Sequence, residues 1–203
     1  MSDNKTITDY FRSNIFEAYG AYLGWKILAA SKSSQIVSQE MAERYVAIQN
    51  YCPNFFVSTQ RAFLINFVLL ALHPFDSDSR AFSLHKIDAL ETKAFIAANI
   101  EVLDKLYDLR NKIFAHRDAG TMLEEYKIPS MDSLDQFFKN LMNFYNEITL
   151  AVDKSSTIFS NAEDIKYDIE SLFMILYRGE QSRKQDFEVE MWKHDPSKVS
   201  DVL

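Results

Sequence analysis

Apolar residues recur every three to four positions through most of this chain, and that recurrence predicts helices. From about Ile7 to Ala30 the series Tyr10/Phe11, Ile15, Ala18/Tyr19, Tyr22, Trp25 and Ala29 marks one face of a long first helix. Gly20 and Gly24 lie four residues apart on it, where a missing side chain lets a neighbouring helix approach closely. Ser33 and Ser34 offer turn and N-cap chemistry for a second helix carried by Ile36/Val37, Met41, Tyr45 and Ile48 and ended at Tyr51-Cys52-Pro53. Ser58 or Thr59 is expected to cap a third helix. It is apolar nearly all round from Phe63 to Leu70 and stops before Pro74, the pattern of a buried central helix.

Turn-forming residues fill Pro74 to Ser79. Asp76 and Asp78 read there as turn and capping residues, because the Gly and terminal Glu of a calcium loop are missing. Ser83 is expected to cap a short helix from Leu84 to Leu90. A long helix from Thr92 to Asp118 follows, striped by Ile96, Ile100, Leu103, Leu106/Tyr107, Ile113 and Phe114, with Gly120 at the C-cap position. Ser130 or Ser133 starts the next, through Phe137/Phe138, Leu141, Phe144/Tyr145, Ile148 and Val152. Asn161 is expected to cap a last helix, with Ile165, Ile169, Leu172/Phe173 and Leu176, that ends at Gly179. The charged tail 179–203 fits a strand or a helix. No repeat or linker divides the chain, so the pattern predicts a single domain over 1–203. Its expected class is all-α, an up-and-down antiparallel helical bundle with an additional short helix and a charged C-terminal tail.

Composition sharpens this picture in three ways. Four Gly and four Pro in 203 residues leave little material for a many-stranded fold. A net charge of -7 argues against coating nucleic acid by bulk electrostatics, so any RNA contact must be local. The single cysteine, Cys52, cannot form an internal disulfide and reads as a small buried hydrophobe in a reducing compartment. The N-terminus lacks the basic start and apolar run of a secretory signal. The apolar segment Ala62 to Leu72 is well short of the roughly 20 residues that cross a bilayer. The expectation is a cytoplasmic protein with no membrane contact.

Chemistry concentrates at Tyr107 to Gly120. On a helical wheel Leu103, Leu106, Tyr107, Ile113 and Phe114 share one face, and Arg110 falls within it. A guanidinium among apolar neighbours is costly unless it is paired or opens onto a cleft or an anion. Arg117 lies two turns on, near the same meridian, whereas His116 is turned roughly 120° from Arg110 on a straight helix. One straight helix therefore does not aim both at one atom. A cleft at the helix end can bring them together, and so can two copies of the helix meeting across a two-fold axis. A plainer role is also open: cations near a helix C-terminus stabilise it, and Arg110 can pair with a carboxylate from another helix.

The run Arg110-Asn111-Lys112-Ile113-Phe114-Ala115-His116-Arg117-Asp118 resembles the signature of the HEPN superfamily, an Arg and a polar residue preceding a His by a short interval. It is most similar to the branch linked to abortive infection against phage. The resemblance implies a helical bundle, commonly a homodimer, and a metal-independent ribonuclease acting as a toxin or anti-phage effector without a cofactor. Arg110 and His116 become the catalytic pair and Asn111 the neighbour that helps position them. Attack of a ribose 2′-hydroxyl on the adjacent phosphate then uses His116 to move the proton and Arg110 to stabilise the growing phosphoryl charge. Lys105, Lys112 and Arg117 complete a modest RNA-binding patch. An antitoxin protein is a further partner that the resemblance admits. Control through a Tyr two residues after the His is not implied, since Asp118 stands there.

Two other readings stand beside this one. In the first, a non-catalytic HEPN-like module binds a partner and the Arg/His motif is structural. In the second and weaker one, a pocket between aromatic helices takes a small molecule, with Asn66 as its polar handle. His73, His85 and His194 are scattered and read as surface or cap residues.

Overall fold

The computed structural model describes residues 2–34, 37–76, 82–115 and 127–193. Among them are seven α-helices and no strands: α1 Ser2–Ala30, α2 Gln39–Tyr51, α3 Pro53–Leu72, α4 Ala89–Ala98, α5 Ile100–Ala115, α6 Met131–Asp153 and α7 Asp164–Lys193. The all-α bundle expected from the periodicity is what the chain forms.

α1 is the spine. Its apolar stripe is sealed, with Phe11, Ile15, Ala18 and Tyr22 fully buried. α3 runs antiparallel to it, so that Gly24 meets Phe63 and Tyr10 meets His73. α6 is also antiparallel: Tyr22 donates to the Met131 carbonyl at one end, and Tyr145 donates to the Thr8 carbonyl at the other. Tyr22 stacks on Phe138 at 4.9 Å, and its hydroxyl also donates to Asp135 at 2.7 Å. Lys26 pairs with the same carboxylate at 2.6 Å. A ladder of Phe75, Phe95 and Phe144 rings closes the other side of this core. A second cluster, with Tyr45, Phe56 and Phe173, joins α2, the start of α3 and α7.

Gly24 shows why the spine needs a residue without a side chain. A Cβ there would stand 2.9 Å from the Phe63 ring, closer than carbon atoms normally pack. Gly20 is less constrained, its nearest neighbour being the Ala162 carbonyl at 3.9 Å.

Helix boundaries depart from the sequence reading where local chemistry competes with periodicity. α2 is capped by Ser38, which accepts from the Met41 N–H, rather than by Ser33 or Ser34. α3 begins at Pro53, five residues before the expected caps. Proline is at ease in a first turn because its missing N–H would have no partner there anyway. The longer α3, with the turn that follows it, Pro53–Phe75, is long and apolar enough by length and composition to cross a bilayer, which the shorter expected segment was not. Here it lays Leu64, Phe67, Val68 and Ala71 into the core. Asn66 is exposed, so it is not a core group. Cys52, between α2 and α3, is exposed as well, contrary to its expected burial.

Ser83 does cap a turn, but the turn is a short 3-10 segment, Leu84–Lys86, and α4 starts anew at Asp88, whose side chain accepts the N–H groups of Leu90 and Glu91. The single helix expected from Thr92 is divided at Asn99. Its Nδ2 donates to the Phe95 carbonyl at 2.9 Å, its Oδ1 accepts from Asn140 on α6, and its carbonyl receives the first N–H bonds of α5. Asparagine competes with the backbone for such bonds, which is why it breaks the ladder. Ser130 caps α6 as expected. Asn161 sits inside a 3-10 turn, Ser160–Glu163, instead of capping α7. α7 continues through Gly179 to Lys193, with Glu180 paired to Arg183 along it, so much of the tail of undecided structure is helix.

Candidate active site on the fifth helix

α5 carries the candidate residues because its sequence is amphipathic in a particular register. Leu103, Leu106 and Leu109 are buried and seat it against the core. Asp104, Lys105, Asp108 and Asn111 face solvent. Arg110 stands between the two sets, half-buried at the edge of the leucine row.

Its guanidinium lies over the ring of Tyr107, 5.1 Å from the centroid. Spacing of three residues on a helix places the two side chains one above the other, and a planar cation on a ring face is favourable. Among the described residues no carboxylate forms an ion pair with Arg110. The guanidinium is thus steered by a ring, and among the described residues its hydrogen-bond donors are committed to no carboxylate. Burial raises the Tyr107 pKa, with nearby Arg110 pulling it down and Asp76 pushing it up. Tyr107 therefore keeps its proton at neutral pH. That sensitivity to Asp76 also puts the turn after α3 within electrostatic reach of the Arg110 side of α5.

The other predicted residues separate. Asn111 is exposed, one position on from Arg110 and so about 100° round the helix. Lys112 is half-buried and paired with Asp108 at 2.6 Å, so a phosphate would have to compete for it. Lys105 is exposed, on a different side of α5 from Arg110. His116 and Arg117, together with Asp118 and Gly120, lie outside the described residues, as does His194. His73 caps α3, and its Nδ1 lies 3.3 Å from both the Tyr10 hydroxyl and the Asn14 amide, which makes it a bonded structural group. Among the described residues no three His, Cys, Asp or Glu side chains cluster as metal ligands would.

Tyr107 is a contributor that periodicity alone presents as one more apolar stripe residue, although the Tyr-x-x-Arg spacing signals the contact. Asp76 could not be found in that way, because only the fold brings the turn after α3 towards α5.

Chemically, this arrangement offers a cation held by one face, with the N–H groups of its planar fork bonded to no carboxylate among the described residues. A phosphodiester presents the oxygens that such a fork matches. Comparison with known proteins bears on the same helix. Searches of curated proteins and of solved structures returned no match. The protein-family model HEPN_AbiU2, described as AbiU2, matches residues 5–173, which takes in all but the first three residues of α1, the whole of α2 to α6, the Arg110 to His116 motif and the first part of α7. The chain belongs to this HEPN-type abortive-infection family.

Proposed function

We propose that the protein is a metal-independent endoribonuclease of abortive infection, acting in the cytoplasm as a homodimer. The observation that carries this reading is Arg110 itself. It is half-buried, supported by the Tyr107 ring, and paired with no carboxylate among the described residues. A guanidinium held by a ring face in this way can still turn its planar fork towards a phosphate.

In the proposed reaction the ribose 2′-oxygen attacks the adjacent phosphorus and the 5′-oxygen leaves. The products are a 2′,3′-cyclic phosphate and a new 5′-hydroxyl. His116 moves the proton, and Arg110 meets the charge that builds on the non-bridging oxygens. Asn111 helps position the pair, while Lys105, Lys112 and Arg117 hold flanking phosphates. Because His116 is turned about 120° from Arg110 on a straight helix, the cleft is composite, with Arg110 from one subunit facing His116 from the other. A toxin of this kind calls for restraint in the uninfected cell, and an antitoxin protein would supply it.

The test is cleavage of single-stranded RNA in excess chelator by wild type, Arg110→Ala and His116→Ala, with product ends identified by mass. Cyclic phosphate from wild type and none from either variant is the expected result. Mixing the two inactive variants after subunit exchange should restore about a quarter of the activity, because half the dimers are mixed and each has one intact cleft. Cleavage that survives either substitution would refute the assignment. Failure of the mixture would refute the composite cleft alone.

A second reading, a non-catalytic binding module, draws support from the acidic surroundings of the motif. Asp104 and Asp108 flank it and Asp108 already holds Lys112. It predicts no cleavage by wild type.

A further inference from the structure

A cavity of about 540 Å³ opens where the start of α4, the C-terminal half of α6 and the N-terminal end of α1 come together. Its floor is apolar. Phe144, Ile148, Ala151 and Val152 follow one another at helical spacing along α6, and Ile87 faces them from the turn before α4. Its rim is acidic, with Asp88 and Glu91 on the α4 side, Glu147 and Asp153 on α6, and Lys5 as the single cation among the described lining residues. Among the described residues, none of α5, Arg110 included, lines it.

The four carboxylates differ in availability. Asp88 is spent on the N–H groups of Leu90 and Glu91, and Asp153 accepts from both the backbone and the hydroxyl of Ser155. These two shape the lip. Glu91 and Glu147 form no ion pair among the described residues, are exposed, and belong to different helices. Negative charge therefore stands on both sides of an apolar floor.

We propose that this cavity is a docking site for a basic amphipathic segment of a partner protein. Apolar side chains of the segment fill the floor, while lysines or arginines flanking that apolar row reach Glu91 on one side and Glu147 on the other. Charge complementarity selects this occupant. A nucleic acid or other phosphate-bearing ligand is repelled by the rim, and a simple polycation leaves the floor unfilled. The cavity shares no described residue with the proposed cleavage site.

The probe is a fluorescently labelled peptide of about 14 residues, four helical turns, with leucines on one face and lysines on the other. Its counterpart carries glutamates in place of the lysines, and spermine serves as the purely cationic competitor. The variants are Glu91→Lys/Glu147→Lys, Ala151→Trp to fill the cavity from an exposed lining position, and Glu43→Lys on α2 as a remote charge control. Folding of each is checked by circular dichroism. Wild type should bind the Leu/Lys peptide and not the Leu/Glu peptide. The double reversal and Ala151→Trp should each weaken binding roughly fivefold or more, and Glu43→Lys should change it by less than about twofold. The proposal is overturned if the Leu/Lys peptide does not bind, if Ala151→Trp binds it as wild type does, if Glu43→Lys matters as much as the rim reversals, or if spermine displaces the peptide at equal concentration.

Discussion

Replacing Arg110 with alanine separates a structural arginine from a catalytic one, because the structure assigns the two roles very different energies. The guanidinium rests on the Tyr107 ring at 5.1 Å in a half-buried setting. Such a contact contributes roughly 0.5–1 kcal/mol. Alanine is also a slightly better helix former, which returns a few tenths of a kcal/mol. The net cost should stay below about 1 kcal/mol, a fall in Tm of roughly 2–4 °C for a chain of this size. Breaking a buried ion pair would instead cost about 3–5 kcal/mol, or roughly 10 °C or more. For catalysis, losing a positive group that meets developing phosphoryl charge costs about 100- to 1,000-fold in rate. The assay is thermal unfolding and RNA cleavage measured on the same preparation, with Arg110→Lys alongside to keep the charge but lose the planar fork. A large fall in Tm, or a variant that cleaves within about tenfold of wild type, would refute the reasoning.

The three glycines described by the fold form a graded set. Gly179→Ala meets no atom within 4 Å and should stabilise the helix by about 0.5–1 kcal/mol, whereas Gly24→Ala must displace the Phe63 ring and should destabilise by about 1–2 kcal/mol net in denaturant unfolding. Phe63→Leu in the Gly24→Ala background should recover part of that loss. Tyr22→Phe removes the hydroxyl bonds to Met131 and Asp135 and should cost about 1–2 kcal/mol at pH 7. Burial, and then the bond to Asp135, raise the Tyr22 pKa above its ordinary value of 10.0, so the folded state holds that proton more tightly than the unfolded state does. The stabilisation is complete below pH 10 and is lost as pH rises beyond it, so the unfolding midpoint should fall on alkaline titration and fall less steeply in Tyr22→Phe. Asn99→Leu loses the bonds to Phe95 and Asn140 that turn the chain from α4 into α5, and should cost about 1–2 kcal/mol and weaken the proposed cleavage.

Several boundaries were misread because periodicity is blind to a single-residue break. Ile96, Ile100 and Leu103 keep one helical rhythm across Asn99, yet the asparagine side chain bonds on both sides of itself and divides the helix there. Gly179 looked like a stop signal, but a glycine ends a helix only if the chain turns left-handed at it. Gly179 has no left-handed φ, so α7 runs on through it to Lys193. Cys52 was expected to be buried from residue type alone. The chain exposes it because Pro53 can open α3 at once, leaving Cys52 as the single residue between two helices.

What the sequence determined by itself was the all-α class, the buried stripe of α1 and the Arg110 to His116 motif. The first two depend on side-chain spacing along a helix, which composition and period encode directly, and the third on the resemblance of a short run of residues to a family signature. Tertiary structure decided that Arg110 sits at the margin of the α5 leucine row with no carboxylate paired to it among the described residues, and that Asp76 lies within electrostatic reach of Tyr107. It also decided that an acidic rim surrounds an apolar floor between α4 and α6. Those facts depend on how separate helices meet, and no local pattern carries the crossing of one helix over another.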